Sequence, residues 1–115
     1  MVVWLYAGIP VNSRAAALVW YEKLLGSPPS FFPNDNEAMW QLGEHRSVFV
    51  EQRPAHAGHA RHLLFVDDLD AIVAEIAERG LEPAERETYP SGVEKITYVD
   101  PDGNQIEMLQ VGPAQ

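Results

Sequence analysis

Two glutamates stand inside apolar strand patterns, where a carboxylate needs a partner. Glu107 lies within the run Ile106-Glu107-Met108-Leu109, and Glu51 follows Val48-Phe49-Val50. A charged side chain that is buried without a partner is costly, so we expect these carboxylates to be paired. For Glu51 an ordinary cross-strand ion pair is an open alternative to a chemical role, because Arg53 lies two residues further along the same strand face. The chain has no cysteine, so any metal ion would have to bind His, Asp or Glu side chains.

Composition predicts one soluble domain that binds neither nucleic acid nor membrane. The chain has 115 residues, 46% of them hydrophobic, and 17 acidic against 8 basic residues give a net charge of −9. Such a field disfavours polyanions and anionic lipids. The apolar start over residues 1–11 has no basic segment and is too short to cross a bilayer. Together with the absence of cysteine, this leads us to expect a cytoplasmic protein.

The order of predicted elements is the same in both halves of the chain. Each half starts with a strand, continues with a helix that begins after a capping residue and ends near a glycine, and closes with further strands. The helices carry apolar stripes at helical spacing and end at Gly26 and Gly80. Predicted strands cover residues 1–10, 38–42, 47–53, 62–66, 84–88, 93–99 and 104–111.

A repeat is supported by spacing as well as by element order. Glu51 follows Tyr6 by 45 residues, and Glu107 follows His62 by the same number. We therefore predict an α+β fold made of two βαβββ modules, with module 1 at about 1–53, a linker at 54–60 and module 2 at about 61–115. One such unit is too small to bury its own sheet face, so the two should associate, with the site on the concave surface between them.

The motifs of the chain resemble those of the vicinal oxygen chelate superfamily, which includes glyoxalase I, extradiol dioxygenases and bleomycin-resistance proteins. The most specific piece is Asp-Pro-Asp-Gly-Asn, followed two residues later by the pair Ile106-Glu107. The resemblance covers nearly the whole chain and implies mixed sheets that curl around a cleft. It is carried by residues 8–11, 20–26, 62–68 and 100–107.

This resemblance implies a divalent metal ion held by His62, Glu107 and Glu51. Metal-using members place ligands on the first and last strands of each module, positions that correspond here to these three residues and Tyr6. Zn, Ni, Mn, Fe and Co all suit an imidazole with two carboxylates. The implied function is a glyoxalase-like lyase or isomerase acting on a small oxygenated molecule, with Glu107 and Glu51 as proton-transferring carboxylates. For His62 the structural alternative is a strand-start histidine paired to a backbone carbonyl.

Tyr6 departs from the metal-binding pattern, because a phenol with a pKa near 10 is a poor ligand for most divalent ions. The alternative function is therefore a non-catalytic drug- or ligand-binding module, similar to bleomycin-resistance proteins, that has lost its metal. In that case Trp4, Tyr6 and Trp40 would stack a ligand in the cleft. We also expect a homodimer, since sheet edges and an incomplete concave face favour pairing within or between chains.

Overall fold

The first module is a three-stranded sheet with one helix. The computed structural model describes residues 1–110, so Val111, the last residue of the final predicted strand, lies outside the described residues. Strand order is β1-β3-β2, with β1 parallel and β2 antiparallel to β3. Where a further strand would complete the repeat, Phe31 forms a single bridge to Met39. The elements are β1 (Leu5–Val11), α1 (Arg14–Leu25), β2 (Glu37–Gly43) and β3 (Arg46–Gln52).

The second module has the complete set of four strands. Strand order is β4-β7-β6-β5, with β4 parallel to β7 and the other pairs antiparallel. A short 3₁₀ turn at Pro54–His56 lies in the predicted linker. The α+β class predicted from the sequence is thereby confirmed. The elements are β4 (Arg61–Val66), α2 (Leu69–Glu78), β5 (Glu85–Thr88), β6 (Glu94–Val99) and β7 (Gln105–Gln110).

Both helices begin where the sequence predicts a cap. The Ser13 hydroxyl accepts a hydrogen bond from the Ala16 amide at 3.2 Å, and the Asp68 carboxylate accepts one from Ala71 at 3.1 Å. Each side chain pairs an amide that the first helical turn leaves without a partner. Gly26 ends α1 in the left-handed region with φ of 82°, a conformation that glycine adopts at no steric cost.

The two modules share one hydrophobic core around α1. Alternate residues of every strand except β5 point into it, together with Tyr21 and Leu24 of α1 and Val73 and Ile76 of α2. We call the opposite side of each sheet its outer face. In the first sheet the outer face includes Tyr6, Gly8 and the residues that pair with them in register. In the second sheet it includes Glu107 and the residues that pair with it.

The Asp-Pro-Asp-Gly-Asn motif joins the modules through a buried polar junction. Asn104 is fully buried, and its amide nitrogen donates to Pro10 O of module 1 at 2.8 Å and to Asp100 Oδ2 at 2.9 Å. Its amide oxygen accepts from the Ala60 amide at 2.9 Å. The Tyr21 hydroxyl donates to the same Asp100 carboxylate at 2.8 Å, and burial together with that charge raises the pKa of Tyr21. The motif therefore stabilises the contact between the two modules.

One further contact joins the two modules, and another places the linker against module 2. Arg79, just after α2, donates from Nη2 to the carbonyl oxygen of Leu24 at 3.2 Å, so a cation of module 2 caps the end of α1. At the other end, the linker passes so close to the motif turn that a Cβ on Gly58 would clash with Asp102 O. Both contacts join helix or loop ends and leave the outer faces untouched.

Candidate functional site

Glu107 is buried on the outer face of the second sheet and is paired with two cations. The residue is only 5% exposed, although its side chain carries a charge. Arg61 Nε donates to Glu107 Oε1 at 3.0 Å, and Lys95 Nζ lies 3.2 Å from Oε2. The hydrogen bond from Arg61 and the Lys95 ammonium lower the pKa of Glu107. The expectation that this carboxylate has a partner is confirmed, and both of its oxygens are occupied.

His62 lies on the opposite side of the sheet from Glu107. In the parallel ladder of β4 and β7, His62 pairs with Ile106 and Leu63 pairs with Glu107. Paired residues point to the same face and successive residues to opposite faces, so His62 points into the core. Its Nε2 lies 2.9 Å from the carbonyl oxygen of Gly8, to which it can donate a hydrogen bond across the modules. His62 is thus paired to a backbone carbonyl, which was the structural alternative to a role as metal ligand.

Glu51 and Tyr6 share the outer face of the first sheet but lie far apart on it. Tyr6 pairs with Ser47, whereas Glu51 pairs with Pro10, four residues further along β1. At about 3.3 Å per residue, this separates the two positions by about 13 Å. The nearest cation to Glu51 is Arg53, with Nη1 3.9 Å from Oε1. Arg53 directly follows β3, so this contact lies within one segment and is not the cross-strand ion pair considered from the sequence.

The three residues implied as metal ligands do not fit a divalent ion in this structure. His62 and Glu107 point to opposite faces of one sheet, and Glu51 belongs to the other sheet. Both oxygens of Glu107 already contact cations, which would repel a metal ion. Across residues 1–110 no group of three or more His, Asp or Glu side chains is placed to hold one. The structure therefore does not assemble the predicted donor set.

Of the aromatic residues predicted to line a cleft, Trp40 does not do so. Trp40 is 2% exposed within the core, and its indole nitrogen donates to Ser27 O at 2.9 Å. The prediction for this residue is wrong, because β2 turns it toward α1. Trp4 and Tyr6 are both exposed, and the Trp4 ring packs against His45 with ring centroids 4.1 Å apart.

An apolar row that the sequence analysis missed crosses the outer face of the first sheet. Register places Phe31 beside Met39, Met39 beside Phe49 and Phe49 beside Gly8. A Cβ on Gly8 would lie 2.9 Å from Phe49 Cζ, so the absence of a side chain there lets the ring lie over the strand. We call these four residues the apolar row. Gly8 inside a strand pattern is the sequence signal that could have indicated the close approach of the Phe49 ring.

An open groove separates the edge strands β1 and β4. It has a volume of about 820 Å³. Its walls include Leu5 and Ala7 of β1 and Leu63 and Phe65 of β4, and Leu24 of α1 also lines it. Neither β1 nor β4 has a strand partner on this side within the described residues. The groove therefore combines exposed apolar side chains with unpaired backbone edges.

Sequence and structure comparisons define the class of protein. Residues 4–108 match the family described as the Glyoxalase/Bleomycin resistance protein/Dioxygenase superfamily. The chain belongs to this superfamily, as its motifs indicated. No curated protein gives a significant match. In residues 1–110, no helix is long and apolar enough to span a membrane.

Among solved structures, the chain is similar to a glyoxalase / bleomycin resistance protein from Catenulispora acidiphila DSM 44928. The two are 49% identical with a TM-score of 0.93, covering 96% of this chain and 100% of that one. TnmS3, an antibiotic binding protein from Streptomyces sp. CB03234, is 26% identical, with a TM-score of 0.75 and coverage of 96% and 95%. A bleomycin-binding protein complexed with bleomycin shares the fold, at 19% identity, a TM-score of 0.76 and coverage of 94% and 98%.

Proposed function

We propose that this protein binds a small organic molecule without a metal ion, as the alternative interpretation of the sequence held. The observation that carries the proposal is the pairing of Glu107 with Arg61 and Lys95. A carboxylate held between two cations on one sheet face, with His62 on the other, cannot supply the ligands that glyoxalase-like chemistry requires. The similarity to an antibiotic binding protein at 26% identity supports the same choice.

Elemental analysis of the untagged protein tests the absence of a metal. We expect less than about 0.1 equivalent of any transition metal after purification and after incubation with Zn, Ni or Mn, because too few donors converge to bind one tightly. About one equivalent of any of these metals, bound in the wild type and lost in Glu107→Gln, would contradict the proposal and support a metal-dependent lyase or isomerase.

The apolar row gives the proposed ligand its shape. The end of the Phe49 ring lies close enough to Gly8 that a side chain at Gly8 would touch it, and Met39, which is 8% exposed, lies beside Phe49. Aromatic rings and thioethers form favourable contacts with planar apolar groups. We therefore infer a flat, largely apolar ligand that packs on this row, with exposed Phe31 at one end.

Two neighbouring phenylalanines provide a matched test of ligand binding. Phe31 and Phe32 are each 52% exposed, but Phe31 belongs to the apolar row, whereas the Phe32 ring packs against the Arg14 guanidinium. We expect Phe31→Ala to weaken binding of a flat aromatic ligand about tenfold, the loss of a stacking contact, and Phe32→Ala to leave it unchanged. Quenching of tryptophan fluorescence measures both affinities. Equal losses in the two variants would place the ligand elsewhere.

We also propose a homodimer that covers the groove between β1 and β4. A second copy is the occupant that the groove fits, because unpaired strand edges accept strands and the exposed side chains of Leu5, Leu63 and Phe65 in its walls are apolar. Phe65 on β4 is 62% exposed, although it is among the most hydrophobic residue types. Burial between two copies would remove this surface from water.

The dimer is tested by placing a charge on the groove. We expect sedimentation velocity at micromolar concentration to show a dimer for the wild type and a monomer for Phe65→Lys, since a lysine buried in the interface would lack a partner. Val19→Lys, a change at an equally apolar and exposed position on α1, should leave the dimer intact. A monomeric wild type, or dissociation of both variants, would contradict the proposal.

A further inference from the structure

The Arg61 guanidinium stands on the outer face of the second sheet with its direction fixed and its outer nitrogens free. Only Nε bonds within residues 1–110, to the buried Glu107 carboxylate, while the side chain is 66% exposed. The guanidinium carries five donors in a rigid fork. Because Glu107 uses one of them, Nη1 and Nη2 remain available to a molecule outside the sheet.

The position of Glu107 is itself fixed from the other side. Lys95 on β6 lies 3.2 Å from Glu107 Oε2 and 3.5 Å from Glu87 Oε1. The carboxylate is therefore held between a lysine on one neighbouring strand and an arginine on the other. An arginine that is oriented in this way loses little side-chain freedom when it binds a further partner.

The neighbours of Arg61 on the same face suit an amphipathic molecule. Register places the exposed Gln105 beside Arg61, with Val99 beyond it. Val99 is substantially exposed and does not line the groove that the proposed dimer covers. A cationic fork, an amide and an aliphatic side chain thus form one continuous patch.

We propose that Arg61 binds a carboxylate group of the ligand, with Glu107 as the positioning residue that orients the guanidinium. Arginine and carboxylate match geometrically, since two parallel N–H donors meet two oxygens. This inference rests on the proposed function and adds to the chemical class of its ligand, a molecule with a carboxylate beside an apolar part that fits the patch around Arg61. At this place the protein offers a fixed guanidinium, where the resemblance had implied a metal ion.

Two probes of nearly the same shape separate the effect of charge on affinity from the effect of shape. 2-Naphthoate and 2-naphthamide share a ring system and differ in whether the end group is a carboxylate. We expect the wild type to bind naphthoate about tenfold more tightly than naphthamide, because hydrogen bonds to a charged group are the stronger ones. Isothermal titration calorimetry measures both affinities.

Variants of two arginines on the same sheet provide the control. Arg61→Gln should remove the preference for naphthoate and leave naphthamide binding unchanged, and Arg61→Lys should restore part of it. Glu107→Gln should reduce the preference while Arg61 is still present. Arg86→Gln removes an equally charged side chain, which pairs with Glu94 at 4.0 Å and stands on the opposite face beside Ile96. It should keep the full preference.

The outcomes distinguish this inference from the function on which it rests. Equal binding of the two probes to the wild type, or the same loss of preference in Arg61→Gln and Arg86→Gln, would overturn the carboxylate site and leave ligand binding intact. If neither probe binds the wild type at millimolar concentration, both the proposed function and this inference are contradicted for flat aromatic ligands.

Discussion

Asn104→Ala is expected to lower the free energy of unfolding by about 3 kcal/mol, because it leaves two polar groups of the junction without their side-chain partner. The Pro10 carbonyl and the Ala60 amide bond the Asn104 side chain at 2.8 and 2.9 Å. Asp100 Oδ2 also loses one of its two donors and keeps the Tyr21 hydroxyl. Alanine cannot replace any of these bonds. Urea denaturation followed by circular dichroism measures the change.

The control for this prediction is another asparagine. Asn36 is exposed, and the structure gives its side-chain amide no hydrogen bond within the described residues. Asn36→Ala should therefore change the free energy of unfolding by no more than about 0.5 kcal/mol. Similar losses in both variants would mean that the buried junction does not hold the modules together as we describe.

Gly58→Ala is expected to cost about 3 kcal/mol, since it combines backbone strain with a steric clash. Gly58 has a positive φ of 90°, and a Cβ there would clash with the carbonyl oxygen of Asp102. A backbone oxygen held in the junction cannot move aside as the end of a flexible side chain can. The linker would have to lift away from the turn.

A glycine with the same backbone conformation separates the two causes. Gly92 also has a φ of 90°, but nothing lies within 4 Å of an added Cβ. Gly92→Ala should therefore cost about 1 kcal/mol, the strain alone. Denaturation midpoints of the two variants give the difference directly, and equal costs would show that the approach of linker and turn is loose.

The fold could be predicted because local signals and the global arrangement agree. Ser13 and Gly26 bound α1 in the sequence as in the structure, since the capping bond and the left-handed conformation depend on residues close in the chain. At Phe31 the first module has a single bridge where the second module has a full strand. The prolines at 28, 29 and 33 explain this difference, because they have no amide hydrogen to donate to a ladder.

The site could not be predicted, because it depends on strand register. The spacing of 45 residues places Glu51 on the same face as Tyr6, since β1 and β3 pair residues that are 41 apart. The pairs of β4 and β7 are 44 apart, so the same spacing turns Glu107 away from His62. A shift of one residue exchanges the faces of a strand, and the sequence does not specify this shift.

The partners of Glu107 were also beyond the sequence. Arg61 lies next to His62 in the chain, but only the parallel ladder brings it within 3.0 Å of a carboxylate 46 residues away. Trp40 is a similar case, because apolar strand residues on either face look alike until the position of α1 is known.

The buried junction separates the residues that hold the protein together from those that can contact a ligand. Asn104, Asp100 and Tyr21 join the modules from the core side, and none of them lies on an outer face. Substitutions of exposed residues near these surfaces, such as Phe31 and Gln105, therefore leave the contacts of the junction in place. Within such an architecture, exposed residues can change at low risk to folding, which is a physical reason why one fold can host different functions.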